Sequence, residues 1–176
     1  MKINTEDNKQ KMQEAIEAYQ RQIQALEIML PIAKQWTGKD ITQRMITAMQ
    51  KELDKAIPSD GQYSKVSVRI DKNGDLFPYK RMTIYDNRNN YDNRSFDVYW
   101  SDNAYSNEVR TPESEIIKMI QYKKDHIDQV QDGIKKLAAV EAKYNTMVEA
   151  IKDYNDSIDG FSYLLDVPRY SEFGSR

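Results

Sequence analysis

The sequence predicts an α+β fold: a long antiparallel helical coiled-coil stalk carrying a small three-stranded antiparallel sheet and a short helix at one end. Three observations lead there. Apolar residues recur at heptad spacing on both flanks of the chain, with Gln, Glu, Lys and Arg between them. The middle of the chain, residues 58–111, switches to period-2 alternation and is rich in Tyr, Asn, Asp and Gly. Of the 176 residues, 31% are charged and 39% hydrophobic, a balance that suits helices with much wet surface. Residues 1–176 read as a single domain: stalk helices at 5–36 and 112–159, a head of helix 40–57 and sheet 63–102, and a tail at 161–176.

The first helix is carried by Met12, Ile16, Tyr19, Ile23, Leu26, Leu30 and Ala33, spaced 4-3-4-3-4-3. Gly38 is its natural stop, and Pro31 inside it removes one backbone hydrogen bond, which predicts a kink in the last turn. Asp40 with Gln43 three residues on makes a capping box, and Ile41, Met45, Met49, Leu53 and Ala56 follow on one face before Pro58.

Val66, Val68 and Ile70 alternate with Lys65, Ser67 and Arg69, as in a half-buried strand. Asn73-Gly74 predicts the hairpin turn, because a tight turn wants positive φ at both central positions. The returning strand, 79–85, places Lys80, Met82 and Ile84 on one face; Phe96, Val98 and Trp100 give a third strand its apolar face. One face of such a sheet must be covered, and the helix at 41–57 is the expected cover.

Thr111-Pro112-Glu113-Ser114-Glu115 is a complete helix start: a cap, a proline at the first position, and acids facing the positive end of the dipole. Heptad slots then run from Ile116 to Ile158, and ten of the thirteen hold Ile, Val, Leu or Tyr; Lys123, Glu141 and Asn155 are the exceptions. Read as unbroken to the stop at Gly160, this helix spans roughly 72 Å, against roughly 48 Å for the first. Residues 12–33 are expected to pair with 116–137 in antiparallel sense. The longer helix would then leave Tyr144, Val148, Ile151 and Ile158 bare, which predicts a homodimer through its distal half. The alternative cover is the tail, through Phe161, Tyr163, Leu164 and Leu165.

Composition narrows the function. The net charge is −2, and no region is a polyelectrolyte block: residues 1–57 carry nine basic and eight acidic side chains, 58–111 eight of each, 112–176 nine and twelve. That distribution names no nucleic-acid partner. Cysteine is absent, so disulfides and thiolate chemistry are excluded. His126 is the single histidine, so a histidine-based metal triad within one chain is excluded too. Asp71, Asn73 and Asp75 imitate the start of a calcium loop, but the loop's Gly position is Leu76 and its bidentate Glu position is Met82. No phosphate-cradling glycine loop and no membrane-length apolar run occurs. The expectation is a cytoplasmic, non-enzymatic protein with no cofactor and no metal.

One element is unusual. Tyr85-Asp86-Asn87-Arg88 recurs as Tyr91-Asp92-Asn93-Arg94, and a polar stretch around Tyr105 follows the third strand. Tyrosine gives rigid contact area, Asn adaptable hydrogen bonds, and Arg an anchor for carboxylates or phosphates. Tyr85, Asn87, Arg88, Tyr91, Asn93, Arg94 and Tyr105 are therefore candidate partner-binding residues. The alternatives are a nucleic-acid or nucleotide-binding module using the same loop, and a turn-rich loop whose aspartates cancel its arginines.

The segment Leu30 to Leu53, LPIAKQWTGKDITQRMITAMQKEL, resembles small uncharacterised proteins of phages and other bacterial mobile elements. There an aromatic-Asp-Gly-Lys turn joins an N-terminal helix to a second, basic one in a helix-turn-helix arrangement. Trp36, Gly38, Lys39 and Arg44 are the matching residues, and Thr37 stands where the family has Asp. The resemblance covers about 24 residues. It implies a mobile-element origin and a host protein as partner, with inhibition of a host defence complex such as CRISPR-Cas as the expected role.

Overall fold

The computed structural model describes residues 5–35, 43–59, 65–76, 79–88, 95–100, 110–143, 147–158 and 164–165. Its elements are α1 (Glu6–Gln35), α2 (Gln43–Ala56), β1 (Val66–Leu76), β2 (Tyr79–Asp86), β3 (Ser95–Trp100), α3 (Pro112–Lys143) and α4 (Met147–Ser157). This is the expected α+β class. The chain divides into two compact units, Met1–Glu17 with His126–Arg176, and Ala18–Asp125. Both α1 and α3 contribute residues to each unit.

In each unit α1 and α3 pair in the expected antiparallel sense. In the Ala18–Asp125 unit Gln22 meets Lys123, Glu27 meets Lys124 at 3.9 Å, and Lys34 meets Glu113 at 4.0 Å. In the other, Met12 shares a buried cluster with Leu137 and Val140, and the Lys9 ammonium lies 2.8 Å from Glu141. Rising numbers on α1 thus meet falling numbers on α3.

The buried face of α1 is wider than one heptad stripe. Met12, Ile16, Ile23, Leu26 and Ala33 are buried as expected, while Tyr19 and Leu30 are half-buried. A second stripe, Ala15, Ala18, Gln22, Ala25, Met29 and Ile32, is buried beside it. Three of those six are alanines, whose small side chains let neighbours approach a helix closely on two sides. The helix continues through Pro31 to Gln35.

The start of α3 forms as its sequence dictates. The Ser114 backbone N–H donates to Thr111 Oγ1 at 3.1 Å, and the Thr111 N–H donates to Ser114 Oγ at 3.1 Å, a reciprocal cap. The far end does not. The expected unbroken helix over 112–159 is two helices, and α4 returns antiparallel along α3. Lys136 Nζ donates to the Ser157 carbonyl at 2.9 Å, whereas one straight helix would hold those residues roughly 31 Å apart. Ala150, Ile151, Tyr154 and Ile158 pack with Met12, Ile16, Val130, Leu137 and Val140 in one core, and Leu165 from the tail joins them. Asn155 holds that tail residue from both sides: Leu165 N–H donates to Asn155 Oδ1 at 3.1 Å, and Asn155 Nδ2 donates to the Leu165 carbonyl at 3.3 Å.

This corrects two expectations. The roughly 72 Å helix becomes a 32-residue α3, matched to the 30 residues of α1, followed by an 11-residue α4. Ile151 and Ile158 are buried within the chain, so the bare stripe that motivated a homodimer is removed as its cause. The Tyr144 and Val148 side chains lie outside what is described.

The sheet has the order β1-β2-β3, antiparallel throughout. Its hairpin falls elsewhere than expected. Leu76 pairs with Tyr79, and β1 runs on through Asn73-Gly74. Between Ile70↔Met82 and Asp75↔Lys80 the register shifts, with four β1 residues set against one of β2. An Asn-Gly step serves such an irregularity as well as a turn, because both ask for positive φ. The same ladder shows the calcium-like Asp71–Asp75 segment to be strand.

Val68, Ile84 and Phe96 lie in register across the three strands, as do Ile70, Met82 and Val98. Val66, Val68, Met82, Ile84, Val98 and Trp100 are buried. The α2 helix packs on β1 with Met45, Ile46, Met49 and Leu53 buried. Its Gln50 side chain behaves like a strand edge, accepting from Val68 N–H at 2.9 Å and donating to the Val66 carbonyl at 2.9 Å. Asp40 and Ile41, expected to open this helix, lie outside the described residues, as do Trp36, Gly38 and Lys39.

Candidate functional site

The first copy of the Tyr-Asp-Asn-Arg repeat ends β2 and enters the segment that carries the second copy. Asp86 closes the strand opposite Val66 and is 1% exposed. A carboxylate taken out of water needs charged or N–H partners, and the residue two positions on supplies them. Arg88 Nε donates to Asp86 Oδ1 at 2.7 Å, its Nη2 donates to Oδ2 at 3.3 Å, and its backbone N–H donates to Oδ1 at 3.1 Å. Arg21 of α1 brings a second guanidinium, with Nε 3.7 Å from Asp86 Oδ2. Arg88 also reaches α1 itself, donating to the Arg21 carbonyl at 3.1 Å and to Gln24 Oε1 at 3.4 Å. The sheet is thereby tied along α1 at residues 21–24 and not only near the helix end.

Arg88, one of the expected contact residues, is thus bonded within the chain. Its guanidinium is spent inside the chain, as an anchor. Tyr85, one residue before Asp86, is half-buried with the Arg69 guanidinium 5.6 Å from its ring centre. Asn87 is exposed, and its backbone N–H donates to the Lys65 carbonyl at 2.7 Å. Tyr91, Asn93, Arg94 and Tyr105 lie outside the described residues.

The sheet face away from the core continues this chemistry. Ser67, Tyr85 and Ser95 are in register on it, followed by Arg69, Thr83 and Asp97, then Arg81 and Tyr99. Asp97 gathers its neighbours: Thr83 Oγ1 donates to it at 2.7 Å, Tyr99 Oη donates at 3.0 Å, and Arg81 lies 3.9 Å away. Tyr99 remains 37% exposed, so its ring is held at one end and open on a face. Sequence reasoning had the two faces of these strands right but did not single out Tyr99, Arg69 or Asp97. Their period-2 placement opposite Met82 and Val98 was the available signal.

A second polar group was also missed. Lys123, an exception in the heptad slots, is 4% exposed. Its ammonium lies 4.0 Å from the Phe96 ring centre and 5.4 Å from that of Tyr19, and donates to Gln22 Oε1 at 2.6 Å. Burial pushes it down from 10.5 to about 8. Arg21 and Gln22 carried no signal of their own, since they read as part of a solvated helix face.

Among the described residues no group of three or more His, Cys, Asp or Glu is placed to hold a metal ion, and no helix is long and apolar enough to cross a membrane. No protein-family model, no curated protein and no solved structure matches the chain.

Proposed function

We propose that this is a non-enzymatic protein-interaction protein of the cytoplasm, whose contact surface is the Tyr/Asn/Arg loop entered at Asn87 with the adjoining outer face of the sheet. One observation carries the reading. The first copy of the repeat is committed to anchoring, through the buried Asp86 and the Arg88 bonds to Arg21 and Gln24. A second copy of the same composition, Tyr91-Asp92-Asn93-Arg94, then follows a fixed post. Anchoring the root of a binding loop lowers the ordering cost of association. The outer face adds tyrosines and arginines around Asp97, a mixture suited to a protein surface of mixed charge. The resemblance of residues 30–53 to mobile-element proteins makes a host protein, including a defence complex, the partner to try first.

The test is a double substitution, Tyr91→Ala with Arg94→Ala. Melting should stay within a few degrees of the parent while capture of a host protein from lysate is lost. A collapse in melting would assign both residues to the core and remove the reading. Salt separates the nucleic-acid alternative: phosphate contacts weaken steeply between low and physiological salt, a tyrosine-centred protein interface much less.

A further inference from the structure

The two helices that pair in the Ala18–Asp125 unit bury mostly apolar residues: Ala18, Ile23, Ala25, Leu26, Met29 and Ile32 on α1, and Ile116 and Ile120 on α3. Such a seam is degenerate. Sliding one helix by a heptad, roughly 10 Å, still sets apolar residues against apolar residues. Among the described residues of α1 and α3, the buried polar side chains are Gln22, 2% exposed, and Lys123, 4% exposed, and they bond to each other. We propose that Lys123 and Gln22 form a register lock, which selects one alignment of the antiparallel α1–α3 pair out of several that apolar packing alone would accept.

The lock works by penalty. An ammonium has three donors and no acceptor capacity, and burying it is tolerable only where something receives it. Here Gln22 Oε1 receives one N–H, and the faces of Phe96 from β3 and Tyr19 from α1 stabilise the charge. A heptad slip in either direction sets Lys123 opposite Met29 or Ala15, neither of which offers an oxygen. The same slip buries the Gln22 amide against hydrocarbon. No carboxylate among the described residues pairs with Lys123. A single polar pair in an otherwise apolar helix seam is a known way to fix alignment at a cost in stability.

The experiment reads alignment directly. The chain has no cysteine, so spin labels placed by Gln20→Cys and Lys118→Cys, both exposed sites, report one α1–α3 distance in the parent. Lys123→Met should raise the denaturation midpoint and add a second distance, displaced by roughly the 10 Å of a heptad. The exchanged pair, Gln22→Lys with Lys123→Gln, should restore the single parental distance. A single unchanged distance in Lys123→Met overturns the lock. If Lys123→Met fails to fold, the exchanged pair decides: a split distance there overturns the lock equally.

Discussion

Lys123 and Glu141 interrupt the same heptad series of α3, and the fold treats them in opposite ways. Glu141 sits where its carboxylate keeps 30% of its exposure, accepting from Thr5 Oγ1 and pairing with Lys9 at 2.8 Å. Around it the Met1–Glu17 and His126–Arg176 unit is held by hydrocarbon: Met12, Leu137, Ile151 and Tyr154 fill the core and the ion pair decorates its rim. Lys123 sits in the Ala18–Asp125 unit with no counter-ion among the described residues, a neutral amide for a partner and two rings for walls. A polar residue in an apolar seam therefore has two meanings. At a wet rim it is a tie of small worth; in the dry seam it is costly and selective.

The largest effect should come from the apolar side of this comparison. Tyr154 is fully buried, and its hydroxyl contacts the Met12 sulfur at 4.0 Å. Tyr154→Ala is expected to cost about 3–5 kcal/mol in urea unfolding, the usual price of emptying a buried aromatic site. Amides of α4 should lose hydrogen-exchange protection first. A cost below about 1 kcal/mol would mean that α4 does not seat on α3, and the contrast between a hydrocarbon-held unit and a lock-held seam would fail.

The next effect sharpens the meaning of Lys123 and has a definite sign. Among the described residues the groups facing its ammonium are Tyr19 and Gln22 from α1 and Phe96 from β3. Burial holds it at about 8 in the fold against 10.5 in the open chain, so between those pH values the unfolded state binds more protons. Stability then rises with pH across that window, by on the order of 3 kcal/mol in all, and is lost again as pH falls through 8. Tyr154 acts the other way at higher pH. Burial pushes it up to about 12, so the unfolded phenol ionises first and stability falls above pH 10. Urea unfolding at about pH 7.5 and about pH 9.5 isolates the lysine, and Lys123→Met should flatten the slope. A parent slope that is already flat would mean that Lys123 is solvated and belongs with Glu141.

What the sequence made legible follows from the same distinction. The antiparallel pairing, the α3 cap and the inward faces of the strands are local patterns of periodicity and capping, and they formed as read. The heptad exceptions were visible too, but their meanings were not. Lys123 bonds Gln22 and Glu141 meets Thr5 and Lys9, partners more than a hundred residues away, while Asn155 holds Leu165 ten residues on. The break after Lys143 did leave a trace, because Thr146-Met147-Val148-Glu149 has the spacing of a capping box before an apolar run. Heptad continuity from Leu137 through Tyr144 to Ile151 hides it, since a helix that folds back onto its predecessor keeps the same period. The Asn73-Gly74 error has a similar root: positive φ is requested, and strand pairing decides whether a turn or a bulge uses it. Of the candidate contact residues, Arg88 bonds to Asp86, the aspartate–arginine cancellation that the turn-rich alternative describes.

The smallest expected effect tests the rim. Glu141→Gln keeps an oxygen for the Thr5 hydroxyl and removes only the charge that faces Lys9. Lys9 is raised above its usual value chiefly by its hydrogen bond to Glu141, with burial working against the shift. Both side chains are about 30% exposed, so water and salt screen their attraction, and side-chain entropy offsets much of what remains. The substitution should cost about 0.2–1 kcal/mol in urea unfolding at low salt, and less in high salt. The buried Thr5 hydroxyl keeps its acceptor, so no desolvated donor is stranded. A salt-independent loss approaching that of Tyr154→Ala would place Glu141 inside the core, and the two interruptions of α3 would then be of one kind.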